Sequence, residues 1–135
     1  MRTNCTSGQE KAARKAGGKL RRDFGEVEHL QVSRKGPSDF VSKADQRAER
    51  TLWDELKLAR PGWGFLMEEG GEIPGEPDKP RFLVDPLDGT SNFLHGIPHF
   101  AISIAAQEPK LDGSGWGDVI AGIVYQPITD ESFWA

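Results

Sequence analysis

The spacing of apolar residues predicts two helices in the first half of the chain. After a capping-box pattern at Ser7 to Glu10, apolar side chains recur every three or four residues, which indicates an amphipathic helix. A second helix is predicted with Ser42 as its N-cap and Asp45 in its first turn, and Pro61 ends it. The segment between them, Val32 to Pro37, is expected to be extended or turn-like. The two apolar faces are Ala13, Ala16, Leu20, Phe24 and Val27, and then Val41, Ala44, Ala48, Leu52, Leu56 and Ala59.

Beyond Pro61 the pattern changes to short apolar runs separated by glycine, proline and charge, which is typical of strands and turns. Residues 70–80 are predicted to form a surface loop, and Ser91 to His95 a short helix. Pro109 to Gly117 is expected to connect a hairpin. The predicted strands are Gly64 to Met67, a run from Phe82 that Pro86 should end, His99 to Gln107, Val119 to Tyr125 and Glu131 to Ala135. This order predicts an α+β fold with two helices packed on a largely antiparallel sheet.

The stretch from Phe82 to His95 carries the candidate chemistry. Its apolar run leads into two acids three residues apart, Asp85 and Asp88, which offer oxygen ligands for a cation. Gly89 permits a tight turn, and the backbone amides of a helix that starts near Thr90 offer donors to an anion. A cation held beside an oxyanion is the arrangement used in metal-assisted phosphate chemistry.

An excess of acids surrounds this stretch. Two carboxylates about 4 Å apart repel by ~4 kcal/mol at an effective dielectric constant near 20, so acids that converge at strand ends favour a cation or a proton. The alternative is that these acids are solvated loop residues that never converge, and their spacing does not decide between the two. Residues 64–99 contain seven acids (Glu68, Glu69, Glu72, Glu76, Asp78, Asp85 and Asp88) and two bases (Lys79 and Arg81).

Two common kinds of metal site do not fit the pattern. A calcium loop starting at Asp85 would need a glutamate where Gly96 stands. His95 and His99 lack the cysteine pair or the HExxH pattern of a zinc site, which favours structural or peripheral roles for both.

Thr90 and Asp45 each have a catalytic and a structural interpretation. A hydroxyl and a neighbouring carboxylate can together orient and deprotonate a metal-bound water. Alternatively, Thr90 is a helix cap and Asp45 an acid that interacts with a helix dipole in the first turn.

Composition adds few constraints. The chain has 135 residues, 36% hydrophobic and 28% charged, as expected of one globular domain. Its net charge of -4 does not suggest a nucleic-acid partner. A single cysteine, Cys5, fits a reducing compartment. The longest apolar run, Ala101 to Ala106, is far shorter than the ~20 residues of a membrane span, and no signal-peptide pattern precedes it, so a cytoplasmic protein is expected.

Three motifs, in this order, resemble those of the inositol monophosphatase family. They are Asp39-Phe-Val-Ser-Lys-Ala-Asp45, Phe65-Leu-Met-Glu-Glu69 and Phe82-Leu-Val-Asp-Pro-Leu-Asp-Gly-Thr-Ser-Asn-Phe93. The last contains the pattern D-P-[IL]-D-G-T-x-N-[FY], which is highly specific. The resemblance extends to the last residue. It implies that residues 1–135 form the N-terminal metal-binding domain, and half of the layered αβαβα fold, of a sugar phosphatase.

The resemblance also implies a magnesium-dependent hydrolase that releases phosphate from a small phosphate monoester, most directly inositol 1-phosphate. Glu68, Asp85 and the carbonyl of Leu87 would bind the first Mg²⁺, and Asp85 with Asp88 the second. The amides of Gly89 and Thr90 would hold the phosphate.

The remaining roles concern the attacking water and the surroundings of the metals. Thr90 with Asp45 would activate the water beside Glu68, so these three residues are the predicted catalytic set. Glu69 would lie in a second layer around the metals or near a weaker third position. Lys35 is the candidate for the basic residue that the family has before its second helix.

The chain departs from the family in length. Family members are roughly twice as long, and their second half supplies an aspartate in a W-D-x-A-A-G-like motif that completes the second metal site. We therefore expect the C-terminal domain to be absent here, and a homodimer only in the full-length form. Two alternatives remain open: a 3'(2'),5'-bisphosphate nucleotidase, and a catalytically incomplete metal-binding or regulatory fragment.

Overall fold

A computed structural model describes residues 2–30 and 38–135. These residues form three helices and six strands. The segment Val32 to Pro37, which includes Lys35, lies outside the described residues. The elements are α1 (Arg2–Leu30), α2 (Ser38–Ala59), β1 (Gly64–Met67), β2 (Gly71–Ile73), β3 (Arg81–Asp88), α3 (Thr90–Leu94), β4 (Ala101–Pro109), β5 (Trp116–Gln126) and β6 (Glu131–Trp134).

Both long helices begin earlier than predicted. Helix α1 already includes Ser7, and α2 starts at Ser38, so Ser42 is not an N-cap. Ser38 and Asp39 provide the same polar residue types one turn before Ser42, and Asp39 stands in the first turn of α2. A capping pattern marks a possible start, but a serine inside a helix costs only a few tenths of a kcal/mol, so the helix can continue through it.

The strands form a single sheet in the order β2-β1-β3-β4-β5-β6. Strands β1 and β3 pair in parallel, and the other neighbours are antiparallel, which confirms the α+β prediction. The predicted strands β1, β4, β5 and β6 are present with ends within a few residues of the expected positions.

Two predictions about the strands are wrong. Residues 70–80 are not entirely loop, because β2 pairs with β1 through Phe65 and Ile73. This strand has three residues, too few to show an alternating pattern. Pro86 does not end β3, which continues to Asp88. The register with β4 shifts between Asp85 and Asp88, because proline has no N–H to donate and the ladder bulges around it.

The core lies between the two long helices and one face of the sheet. Helix α1 packs on β4 and β5, and α2 packs on β3. Side chains that point toward the helices alternate along each strand with side chains that point away. The largest fully buried apolar side chains are Leu20, Leu52, Leu56, Phe82, Leu87, Phe93, Ile102, Ile104, Ile123 and Tyr125.

Several large apolar side chains of the sheet are exposed. Leu66 of β1 stands beside Leu83 of β3, and Val124 of β5 beside Phe133 of β6. Leu66, Val124 and Phe133 are 40%, 41% and 57% exposed, respectively.

Among the described helices, none is long and apolar enough to cross a bilayer.

The closest approach of α1 to the sheet depends on Gly17. A Cβ atom at this position would overlap Cε2 of Tyr125 on β5. The tyrosine ring has little freedom to move, since it is 1% exposed and its hydroxyl donates a hydrogen bond of 2.7 Å to Asp130. The contact therefore fixes how α1 lies across β5.

We predict that Gly17→Ala lowers the free energy of unfolding by about 1–3 kcal/mol, because the added methyl overpacks the contact with Tyr125. Gly18→Ala is the matched control. A Cβ at Gly18 would meet nothing within 4 Å, so this change should stabilise the helix by up to about 1 kcal/mol. Urea denaturation measures both. Equal effects of the two substitutions would contradict the packing assignment.

Candidate active site

The turn after β3 requires a glycine at position 89. Gly89 has a φ of 93°, in the left-handed region, and it precedes α3 as the N-cap. A Cβ there would also lie 3.1 Å from the carbonyl oxygen of His99 and 3.3 Å from Cα of Phe100. Both the backbone conformation and the close approach of the segment before β4 therefore exclude a larger residue.

Two local hydrogen bonds shape the same turn. The Asp85 carboxylate accepts one from the Leu87 N–H at 3.2 Å, and the Thr90 hydroxyl donates one to the Leu87 carbonyl at 3.0 Å. Thr90 is the first residue of α3, so the alternative in which it caps the helix is wrong. A carbonyl oxygen has two lone pairs, so Leu87 can accept from Thr90 and still offer an oxygen to a cation.

The parallel pairing of β1 and β3 brings Glu68 to Asp85. Met67 of β1 is opposite Val84 of β3 in the register. The residues that follow them, Glu68 and Asp85, therefore lie side by side. The nearby Asp85 carboxylate, with which a protonated Glu68 can share its proton, is the main reason that the pKa of Glu68 rises to about 7. Burial and the charges of neighbouring carboxylates raise this pKa further.

Asp45 reaches the same cluster from α2. Its side chain is buried, with the residue 7% exposed, and Oδ1 has no hydrogen-bond partner among the described residues. Burial is the largest cause that raises the pKa of Asp45 to about 6, followed by the charges of Glu69, Asp85 and Glu49. Since α2 begins at Ser38, Asp45 lies in the second turn, and its interpretation as a first-turn acid is wrong.

Asp88 is separated from this cluster. Its side chain is exposed, and it is not among the charges that raise the pKa of Asp45 or Glu68. Instead it lines a cleft of about 230 Å³ together with Asn92, His99 and Gln126. Within residues 2–30 and 38–135, no three His, Cys, Asp or Glu side chains are grouped closely enough to hold a metal by themselves.

The histidines do not join the carboxylates as ligands. Nδ1 of His95 contacts the carbonyl oxygen of Ser91 at 2.7 Å, and Nδ1 of His99 accepts from Nε2 of Gln126 at 3.2 Å. These contacts agree with the structural or peripheral roles predicted for them.

The carboxylate cluster fits a hard divalent cation. Asp45 has a buried oxygen that receives no hydrogen bond from the described residues, and the Glu68 carboxyl lies near the Asp85 carboxylate. All the oxygens involved belong to carboxylates or to the Leu87 carbonyl, which are the ligand types that Mg²⁺ prefers. The described residues provide part of a coordination sphere, to which substrate oxygens and water would add.

One residue of this region was not predicted from the sequence. Glu49 lies one helical turn after Asp45 on α2, and its Oε2 accepts a hydrogen bond from the Glu69 N–H at 3.0 Å. The spacing of Asp45 and Glu49 places both on one face of a helix, which is the signal that could have drawn attention to it.

The model of the inositol monophosphatase family matches residues 1–135, the whole chain. The chain belongs to the inositol monophosphatase family. It is 56% identical over 122 residues to an inositol-1-monophosphatase of Mesorhizobium japonicum, a match that covers 90% of the chain and 43% of that protein. A Nus factor SuhB of Vibrio cholerae is 38% identical over 125 residues, covering 93% of the chain and 44% of that protein.

The structural neighbours agree with this family membership. The native crystal structure of the extragenic suppressor protein suhB from Bartonella henselae superposes with a TM-score of 0.79 and 55% identity. The match covers 97% of the chain and 48% of the suhB chain. The chain thus spans less than half the length of these family members.

We predict that Asp45→Asn stabilises the chain at neutral pH in the absence of Mg²⁺. Because the pKa of Asp45 is raised on folding, the folded state binds more protons, and stability decreases as the pH rises from about 4 through about 6. Asparagine cannot ionise, so the variant does not lose stability as the pH rises. Its free energy of unfolding should therefore exceed that of the parent chain by about 1–3 kcal/mol at pH 8, and by much less at pH 4.

Urea denaturation at the two pH values measures the effect. Asp54→Asn is the control, since Asp54 is a half-exposed acid on the same helix that pairs with the exposed Arg50, and it should change stability by less than about 0.5 kcal/mol at both pH values. A destabilised Asp45→Asn variant at pH 8 would contradict the prediction.

Proposed function

We propose that this member of the inositol monophosphatase family takes part in magnesium-dependent hydrolysis of a small phosphate monoester, with inositol 1-phosphate as the leading substrate. The supporting observation is that the charges of Asp45, Glu68 and Asp85 influence one another, next to the turn formed by Gly89 and Thr90. This arrangement puts oxygen ligands for a cation next to backbone donors for a phosphate.

In this proposal Glu68, Asp85 and the Leu87 carbonyl hold one Mg²⁺, and Asp85 with Asp88 contribute to a second. Bound Mg²⁺ supplies positive charge that polarises the phosphoryl group and stabilises the leaving oxygen. Asp88 lines the cleft next to Gly89, so in this proposal the second Mg²⁺ would lie toward that cleft and Asp85 would be the ligand common to both.

The remaining residues position the phosphate and move a proton. Gly89 and Thr90 stand at the start of α3, where backbone N–H groups have no acceptor within the helix, and in this proposal their amides would donate to phosphate oxygens. The water would give one proton to Asp45 as its oxygen bonds to phosphorus and the ester P–O bond breaks, and the departing alkoxide would take a proton from solvent water to leave as the alcohol. A carboxylate with a pKa of about 6 can accept a proton near neutral pH, which supports Asp45 for this step, with Thr90 orienting the water.

The similarity to the Mesorhizobium inositol-1-monophosphatase supports inositol 1-phosphate as the substrate. Relatives that carry the name Nus factor SuhB support the alternative of a regulatory rather than a metabolic role. The bisphosphate nucleotidase alternative shares the same carboxylate cluster and differs in the leaving group. We further propose a cytoplasmic location, which the single cysteine suits, and a homodimer for the full-length form.

The test measures phosphate release by the 135-residue chain, and by this chain joined to the C-terminal half of the Mesorhizobium relative. We expect the joined protein to release phosphate from inositol 1-phosphate, and EDTA to abolish the activity. Faster release from adenosine 3',5'-bisphosphate would favour the nucleotidase. Absence of magnesium-dependent release from either substrate, by a folded joined protein that binds Mg²⁺, would favour the regulatory alternative.

We predict that Asp88→Asn in the joined protein lowers turnover by at least about 100-fold while the fold remains intact, because the substitution removes charge from a metal ligand that packs against little else. Circular dichroism and urea denaturation check the fold. Asp78→Asn, an exposed acid in the loop before β3, is the control and should keep full activity. Near-native turnover of Asp88→Asn would refute the second metal assignment.

A further inference from the structure

We propose that Glu49 is a positioning residue, which ties the turn at Glu68 and Glu69 to helix α2 and so holds the Glu68 carboxylate beside Asp85. The part of this inference that concerns Mg²⁺ rests on the proposed function. The contact between Glu49 and the Glu69 backbone, called the tether below, is a property of the chain itself and can be tested without any substrate.

The first observation is a direct contact between the helix and the turn. Oε2 of Glu49 accepts a hydrogen bond of 3.0 Å from the backbone N–H of Glu69, the residue that follows the predicted ligand Glu68. Hydrogen bonds to an ionised acceptor are about twice as strong as those between neutral groups. The contact therefore restrains the backbone of the turn and not merely a flexible side chain.

The second observation is that the other carboxylate oxygen lies against the next residue of the turn. A Cβ at Gly70 would come 3.2 Å from Oε1 of Glu49, a distance that leaves no room for a larger residue unless Glu49 moves. Oε1 of Glu49 thus faces Gly70 while Oε2 accepts from Glu69, so the carboxylate lies alongside the turn.

The pairing of Met67 with Gly71 closes this turn, but the residues within it gain little from packing. Glu68, Glu69 and Gly70 are all exposed. The negative charge of Glu68 is repelled by that of Asp85, and the charge of Glu69 by that of Asp45. Mutual repulsion favours outward movement of an exposed turn. A hydrogen bond from a rigid helix opposes that movement.

The choice of a carboxylate at position 49 also favours a role toward a cation. A purely structural acceptor could be neutral, whereas Glu49 adds negative charge to a region that already has an excess of it. Around a metal, an outer carboxylate both orients the ligand-bearing segment and increases the attraction for the cation. Because Asp45 lies one turn earlier on α2, the same helix positions the candidate base and the candidate metal ligand.

Three variants of the 135-residue chain separate these roles. Glu49→Ala removes the acceptor and the charge, whereas Glu49→Gln keeps an acceptor oxygen and removes only the charge. Glu55→Ala is the matched control, because Glu55 is a partly buried acid of the same helix that pairs with Lys15 of α1 and not with the turn. Thermal unfolding verifies that each variant is folded.

Amide hydrogen exchange by NMR tests the tether. We expect Glu49→Ala to lower the protection of the Glu69 amide by about tenfold, the loss of one hydrogen bond to a charged group, while Glu49→Gln retains most of it. Glu55→Ala should leave this amide unchanged within about twofold. Unchanged protection of Glu69 in Glu49→Ala would overturn the proposal.

Titration calorimetry with Mg²⁺ alone tests the consequence for the metal. Glu49→Ala should weaken Mg²⁺ binding roughly 10- to 100-fold, Glu49→Gln should weaken it less, and Glu55→Ala should bind as the parent chain does. Loss of Glu69 protection with unchanged Mg²⁺ affinity would overturn the positioning role. A parent chain that binds no Mg²⁺ would count against the proposed function, whereas the exchange data would still decide on the tether.

Discussion

The parallel pairing of β1 with β3 is the constraint on which the site depends. It is the only parallel pair in the described part of a sheet whose other pairs are antiparallel, and it brings the end of β1 beside the middle of β3. Glu68 and Asp85 meet there because each directly follows a residue of the Met67–Val84 pair. A slip of one residue would turn the side chains of one strand to the opposite face and separate the two carboxylates.

Helix α2 contributes two further acids near this pair of strands. It packs on β3 and carries Asp45 and Glu49 one turn apart, so a single rigid element sets the position of a buried carboxylate and of the exposed turn at Glu69. The arrangement is unfavourable for the isolated fold, since burial and repulsion raise the pKa of both Asp45 and Glu68. Close negative charges make the folded state less stable at neutral pH, as is common at functional sites.

Local patterns were sufficient for most of the fold. Strands β1, β4 and β5 alternate or form apolar runs, and α3 follows a glycine that must adopt a left-handed conformation, so each was predicted close to its observed position. The errors have physical causes. Strand β2 is too short to show a period, and its pairing with β1 creates it. Strand β3 passes Pro86 because a bulge absorbs the missing donor.

The sequence by itself determined the family to which the chain belongs and the candidate residues of the turn after β3, because the two acids, Gly89 and Thr90 lie within six residues of one another. Only the tertiary structure decided which acids meet. Asp45 and Asp85 are 40 positions apart, and the packing of α2 on β3 brings their charges together, whereas Asp88 faces a separate cleft only three residues from Asp85. The tether from Glu49 to Glu69 arises in the same way. Contacts between distant segments depend on how elements pack, and the periodicity within each element does not specify that.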